Sequence, residues 1–172
     1  MNQSSETTPK REMQESTSAN PSVRVRRVKA ADIAQVIALD TRVTKIAKAD
    51  YWGDIFSRYG KQRSDERFFL VAESAAGRSG SEFLGFIIGE IRAWEFGSSP
   101  CGWVFALSVE PKVRQHGIGS ALLDAIAAEF RKAGVGKMRT MVARDGGHLP
   151  LLFFRSEGMI AGPYTQLEKD LD

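Results

Sequence analysis

At 172 residues the chain has the length of one domain with some chain to spare, and 42% hydrophobic with 26% charged residues is the composition of an ordinary folded protein. Its 24 lysines and arginines stand against 21 acids, a net charge of +3 with no basic block interleaved with aromatics, which argues against nucleic-acid binding. A lone cysteine, Cys101, excludes an internal disulfide and a paired-cysteine metal site, and no apolar run approaches the roughly 20 residues of a membrane-spanning helix.

With no apolar leader-like stretch in its first residues, the chain is expected to be cytoplasmic, free of metal and without a membrane partner. Residues 1–22 are mostly Ser, Thr, Glu, Gln and Asn, which bury too little apolar surface to offset the entropy of ordering; a disordered tail is expected there, followed by one domain over 23–172. The first strand is predicted from Val23, where valines alternate loosely with arginines. Ile33, Val36, Ile37 and Leu39 then recur at three- and four-residue spacing, one face of a helix. A less regular helical stretch follows from Ala47 to Tyr59.

Phe68–Ala72 is an apolar run short enough for a buried strand, and Phe83–Ile91 is its antiparallel partner across a Gly/Ser-rich turn at 74–81. Gly97–Pro100 breaks the pattern before a strand over Gly102–Val109. A helix is predicted over Gly119–Ala133 with Gly134 as its stop, then a strand over Lys137–Ala143, a short helix over Leu149–Ser156 and a last strand over Thr165–Leu171. This order points to an α/β fold with a largely antiparallel sheet rather than a doubly wound one.

The chemistry concentrates where Leu107-Ser108-Val109-Glu110-Pro111 runs through Arg114-Gln115-His116-Gly117-Ile118-Gly119-Ser120 into the helix. The first amides of a helix have no intrahelical partners and carry the positive end of its dipole. Glycines at 117 and 119 let backbone close on an anion, so the turn reads as a pyrophosphate site, with a plain strand-to-helix connection as the other reading. A nucleotide-binding Walker loop is excluded because Gly-Lys-Ser/Thr is missing, and a dinucleotide fold is disfavoured because Leu122 stands where a third glycine belongs.

Arg114-x-x-Gly117-x-Gly119 after Val109-Glu110-Pro111, followed by Phe153-Phe154-Arg155-Ser156-Glu157-Gly158-Met159, resembles two signatures of the GNAT acetyltransferases. The resemblance runs from about Val23 to the end of the chain. It implies a mixed, largely antiparallel sheet flanked by helices, with a splayed fourth and fifth strand, and acetyl-CoA as co-substrate. Main-chain groups of Leu107 and Val109 would then pair with the pantetheine arm, an amide near Leu107 or Ser108 would hold the oxyanion, and the amides of Gln115 to Ser120, including His116 and Ile118, would take the pyrophosphate.

The chain departs from the family where proton transfer is concerned. Phe154 stands where a tyrosine commonly protonates the thiolate, and Val142 and Trp103 stand where glutamates serve as bases in other members. The remaining catalytic candidates are Glu90, late in the third strand, and Tyr164 near the C-terminus; each has an equally plain reading as an ordinary exposed or packed side chain. Cys101 has no histidine beside it to support a covalent route. The resemblance places the acceptor between the first two helices and the opposite hairpin, giving Tyr51, Trp52, Glu90 and Trp94 as substrate-binding candidates and Asp50, Asp54 and Glu95 as further acids for a cationic amine. The implied acceptor is a primary amine, first a protein N-terminus or lysine, then a small molecule; a non-catalytic acyl-CoA-binding module is the alternative, and a homodimer stays open.

Overall fold

The computed structural model describes residues 23–62, 64–75, 81–143 and 148–171. The expected tail at 1–22 and residues 76–80 of the expected turn lie outside them. Five strands form one sheet in chain order: β1 (Val23–Arg27), β2 (Arg67–Ser74), β3 (Phe83–Arg92), β4 (Cys101–Val109) and β5 (Met138–Arg139). The first four pair antiparallel, and β5 joins β4 in parallel. Helices α1 (Ile33–Thr44) and α2 (Ala49–Ile55) separate β1 from β2, α3 (Ile118–Lys132) joins β4 to β5, and α4 (His148–Ser156) follows. The mixed, largely antiparallel sheet between helices is the fold class expected from sequence.

The strand period of two divides the core. Phe68, Leu70 and Ala72 of β2 pack with Ile118, Leu122, Ile126 and Phe130 of α3, while Phe69 and Val71 pack with Val36, Leu39, Trp52 and Ile55 of α1 and α2. Both faces of the sheet are covered, which is why β2 and β3 read as unbroken apolar runs rather than alternating ones.

Three expectations change. The stretch at 47–59 becomes α2 followed by a widened π-type turn over Phe56–Lys61. The strand at 137–143 contracts to Met138–Arg139, because its ladder to β4 holds only at Gly102–Met138 and Trp103–Arg139 before the two chains part. The final strand over Thr165–Leu171 is absent: no partner ladder extends to it, and Leu167 and Leu171 stand exposed to solvent.

The α1 end of the molecule is fixed by charge. Arg26 on β1 donates two hydrogen bonds to Asp32, at 2.7 and 2.9 Å, and a third from Nε to Glu73 at 2.8 Å, while the Lys29 amide donates to Asp32 at 2.7 Å just ahead of α1. Burial pushes the Asp32 carboxyl upward, but the Arg26 and Lys29 hydrogen bonds outweigh it and hold the group below its ordinary value.

Candidate active site

Where β4 leaves β5 its outer edge opens, and a bulge decides which backbone groups face outward. The β3–β4 register runs Gly85–Val109, Phe86–Ser108, Ile87–Leu107 and Ile88–Ala106, then jumps to Gly89–Val104, which leaves Phe105 without an opposite number. Before the bulge, the Gly102 amide donates to Lys137 on the β5 side at 2.8 Å. After it, the Glu110 amide donates to Leu84 on the β3 side at 2.9 Å. Antiparallel ladders alternate strictly, so even-numbered residues beyond the bulge face β3 and the amides and carbonyls of Leu107 and Val109 face the open edge. Arg114 Nε donates to the Val109 carbonyl from that side, at 3.3 Å.

The edge runs directly into the turn. Pro111–Val113 form one short helical turn, Gln115 and Gly117 take positive φ (67° and 75°), and α3 starts at Ile118. No side chain caps α3 at Gly117, whose carbonyl accepts from the Ala121 amide at 2.9 Å, so the amides of Ile118, Gly119 and Ser120 are free of intrahelical partners. The two glycines serve different ends. Gly117 has open space where a Cβ would go, and its left-handed backbone is what excludes other residues. At Gly119 a Cβ would meet the Phe153 ring at 3.0 Å, so this glycine lets α4 close against α3. Ser120 Oγ fastens the same junction by donating to Glu157 at 2.6 Å.

Two adjoining cavities flank this edge. One, of about 850 Å³, is lined by Leu107, Ser108, Val109, residues of the 114–120 turn and Leu149, Pro150, Leu152, Phe153 and Phe154 of α4. The other, of about 470 Å³, lies between α1 and α2 on one side and β4 with residues 140–143 on the other. They share Val43, Leu107, Ser108, Pro150 and Phe154, so a single groove passes across the open edge.

The expected donor residues are thereby brought together: Leu107, Ser108, Val109, Arg114, Gln115, Gly117, Ile118, Gly119 and Ser120 line the larger cavity. His116 is turned aside, its ring nitrogen 2.9 Å from the Arg114 carbonyl at the surface. Tyr51 and Trp52 line the smaller cavity, Tyr51 at its exposed rim and Trp52 almost wholly buried between α1 and the sheet.

Glu90, Trp94 and Tyr164 line neither cavity. Glu90 sits at the far end of β3, opposite Arg67 and Trp103 in the sheet, where its carboxylate accepts from the Tyr59 hydroxyl and from Arg92 Nε at 2.9 Å. Burial acts to raise its pKa, but those two donors outweigh it and hold the group low. Burial, and then the hydrogen bond to Glu90, push the Tyr59 phenol up to about 12. Trp94 is 70% exposed on the β3–β4 connection, and Tyr164 lies under the Arg139 guanidinium, 4.8 Å from its ring centre. Asp50, Asp54 and Glu95 lie outside both linings as well.

Asp40 was not among the expected acids. It is the one carboxylate among the described residues lining the smaller cavity, and it is 94% buried by its 6% exposure. Its signal was present in the sequence: Val36, Leu39, Asp40 and Val43 share one face of α1, so the helical period itself turns Asp40 inward.

Residues 33–148 match the sequence model of the acetyltransferase (GNAT) family. The chain belongs to that family. As an acetyltransferase it shares its fold with an aminoglycoside N-acetyltransferase solved in complex with CoA (TM-score 0.71, 15% identity, 86% of this chain and 94% of that one). It is similarly close to glucosamine-6-phosphate N-acetyltransferase from Arabidopsis thaliana (TM-score 0.65, 14% identity, 87% and 99%). A transcriptional regulator from Bacillus halodurans C-125 has the same fold (TM-score 0.68, 16% identity, 87% and 99%). No curated protein matches the chain by sequence. Among the described residues no helix is long and apolar enough to cross a membrane, and no group of His, Cys, Asp and Glu side chains is arranged to hold a metal ion.

Proposed function

We propose that this acetyltransferase moves the acetyl group of acetyl-CoA to the primary amine of a small molecule by direct attack. The observation that carries the reading is the continuous groove in which a strand edge without a neighbouring strand, Leu107 to Val109, runs into a helix start with free amides at Ile118, Gly119 and Ser120. Such an edge takes an extended amide-bearing chain as a further strand, and such a helix start takes a phosphate. Pantetheine and pyrophosphate are joined in that order in CoA. The Gly119–Phe153 contact and the Ser120–Glu157 bond hold α4 beside the turn, so the cradle is built before the donor arrives.

The thioester then lies where the two cavities meet, at Leu107 and Ser108. The amine nitrogen attacks its carbonyl carbon, an edge amide stabilises the oxyanion, the carbon–sulfur bond breaks, and CoA departs as thiolate. Phe154 offers no proton at this junction; water supplies it, since a thiolate is already a good leaving group. Glu90 and Tyr164 remain the side chains proposed from sequence for proton transfer, and each would have to act from outside the groove.

Of the acceptors implied by the resemblance, the smaller cavity favours a small molecule over a protein N-terminus or lysine, because about 470 Å³ is within the range of small-molecule sites. The proposed setting is the cytoplasm, with one catalytic domain over 23–172 preceded by the polar tail.

The test is to incubate the full chain with acetyl-CoA and separate panels of small amines and peptides, following free CoA thiol while calorimetry measures acetyl-CoA binding. Turnover with small amines is expected. Turnover confined to peptides would reverse the acceptor assignment, and binding without turnover on either panel would leave an acyl-CoA-binding module.

A further inference from the structure

Asp40 has a partner that shows what it can bind. Lys48, just before α2, places its ammonium 3.0 and 3.2 Å from the two carboxylate oxygens, and the Trp52 indole N–H donates to Oδ2 at 2.9 Å. Both Asp40 and Lys48 line the smaller cavity. The cavity wall therefore already holds an alkylammonium on a buried carboxylate, presented by a side chain whose own surface is 34% exposed. A carboxylate has acceptor sites for about four hydrogen bonds, so Trp52 can fix its orientation while an incoming ammonium exchanges with that of Lys48.

The location also has meaning. Trp52 packs on Phe86 with ring centres 5.2 Å apart, and Phe86 faces Ser108 across the β3–β4 ladder. Asp40, Phe86, Leu107 and Ser108 line the same cavity, so Asp40 stands on the α1 wall of the space that reaches the strand edge where the proposed thioester lies. A nitrogen held this way by a carboxylate is protonated and has no lone pair with which to attack. An acceptor anchored there must carry a second nitrogen for the reaction.

We propose that Asp40 anchors a second, non-reacting ammonium of the acceptor, that Lys48 competes for the same carboxylate, and that the acceptor class is an alkyl diamine or polyamine. This rests on the acetyl-transfer reading of the groove. The free nitrogen forms the amide bond as the carbon–sulfur bond breaks, its proton passes to water, and the departing thiolate takes a proton back from water. The anchored nitrogen keeps its charge throughout.

The experiment compares 1,4-diaminobutane with butylamine, which differs by the anchoring nitrogen alone, on the full chain. Turnover is read as CoA thiol released, and acetyl-CoA affinity is measured separately by calorimetry. The expected KM for the diamine is about tenfold below that for butylamine, the size of one charge-assisted hydrogen bond. Asp40→Asn should abolish that preference with acetyl-CoA affinity unchanged. Lys48→Ala should lower the diamine KM below the wild-type value, because the internal competitor is gone.

A strut that merely ties α1 to α2 predicts the reverse for Lys48→Ala, and a raised KM would overturn the proposal. Equal KM values for the two amines in the wild-type protein would also overturn it. If Asp40→Asn does not fold, the Lys48→Ala variant and the diamine-to-butylamine ratio still decide. Wild-type protein that fails to bind acetyl-CoA would remove the donor reading itself, whereas acetyl-CoA binding without diamine preference removes only this inference.

Discussion

The proposed donor half of the groove and the proposed acceptor half are built on opposite principles. From Leu107 to Ser120 the useful groups are amides and carbonyls, set by a strand register, a bulge and a helix start; side chains matter mainly through what they leave out, as at Gly117 and Gly119. The α1–α2 wall depends on particular side chains, with Asp40 held by Trp52 and Lys48 and α1 anchored through Arg26 and Asp32. The helix start of the backbone site follows from local rules that a sequence displays openly, whereas its strand register depends on pairing. A side-chain site depends on which residues from distant positions meet.

The strongest way to break this contrast is Gly117→Val. A β-branched residue at φ 75° incurs strain of about 1–3 kcal/mol, and it also puts bulk beside the free amides. Acetyl-CoA affinity measured by calorimetry should fall about a hundredfold or more. An unchanged affinity would mean that the turn is only a connection.

Asp32→Asn tests the other half. The loss of charge-assisted hydrogen bonds from Arg26 should lower stability by about 2–3 kcal/mol in urea unfolding, with acetyl-CoA affinity retained by the folded protein. The pH dependence carries a definite sign. Asp32 is held below its ordinary carboxylate value, so its stabilisation is complete above about pH 4, the unfolded value, and fades as pH falls through the lower folded value. The wild-type unfolding midpoint should drop along that acid limb, and the variant should drop less.

Trp52→Phe keeps the ring stacked on Phe86 but removes the donor to Asp40, for a loss of about 1–2 kcal/mol and weaker acceptor binding. Ser120→Ala removes the bond to Glu157 and should cost about 1 kcal/mol, with acetyl-CoA affinity changed about twofold. Losses of acetyl-CoA affinity from Trp52→Phe as large as those from Gly117→Val would show the two halves to be coupled.

The same contrast explains what could be read from the sequence. The turn was legible because Gly117 and Gly119 mark it, and the sheet because apolar runs of strand length alternate with helical periods. The bulge at Phe105 was not, since no glycine or proline signals it and it exists only relative to the register of β3. The strand expected at 165–171 fails for a related reason: a strand needs an edge to pair with, and the β4–β5 ladder ends at Arg139. Glu90 was singled out because it is an acid late in a strand, whereas its position relative to the groove depends on the sheet. Asp40 is harder to read although its helical phase points inward, because the partners that give it meaning, Lys48 and Trp52, come from the next helix region.

The alternation of β4 beyond Phe105 constrains how such a chain can change over time. Because the groups at Leu107 and Val109 are selected by odd and even position, nearly any replacement of their side chains leaves the donor edge unaltered, which suits a fold shared at 14–16% identity. Removing Phe105 would only close the bulge into a regular ladder with Leu107 and Val109 still facing outward, whereas removing Ser108 would turn Val109 inward against β3. Beyond the bulge the strand tolerates new side chains and forbids a change in count.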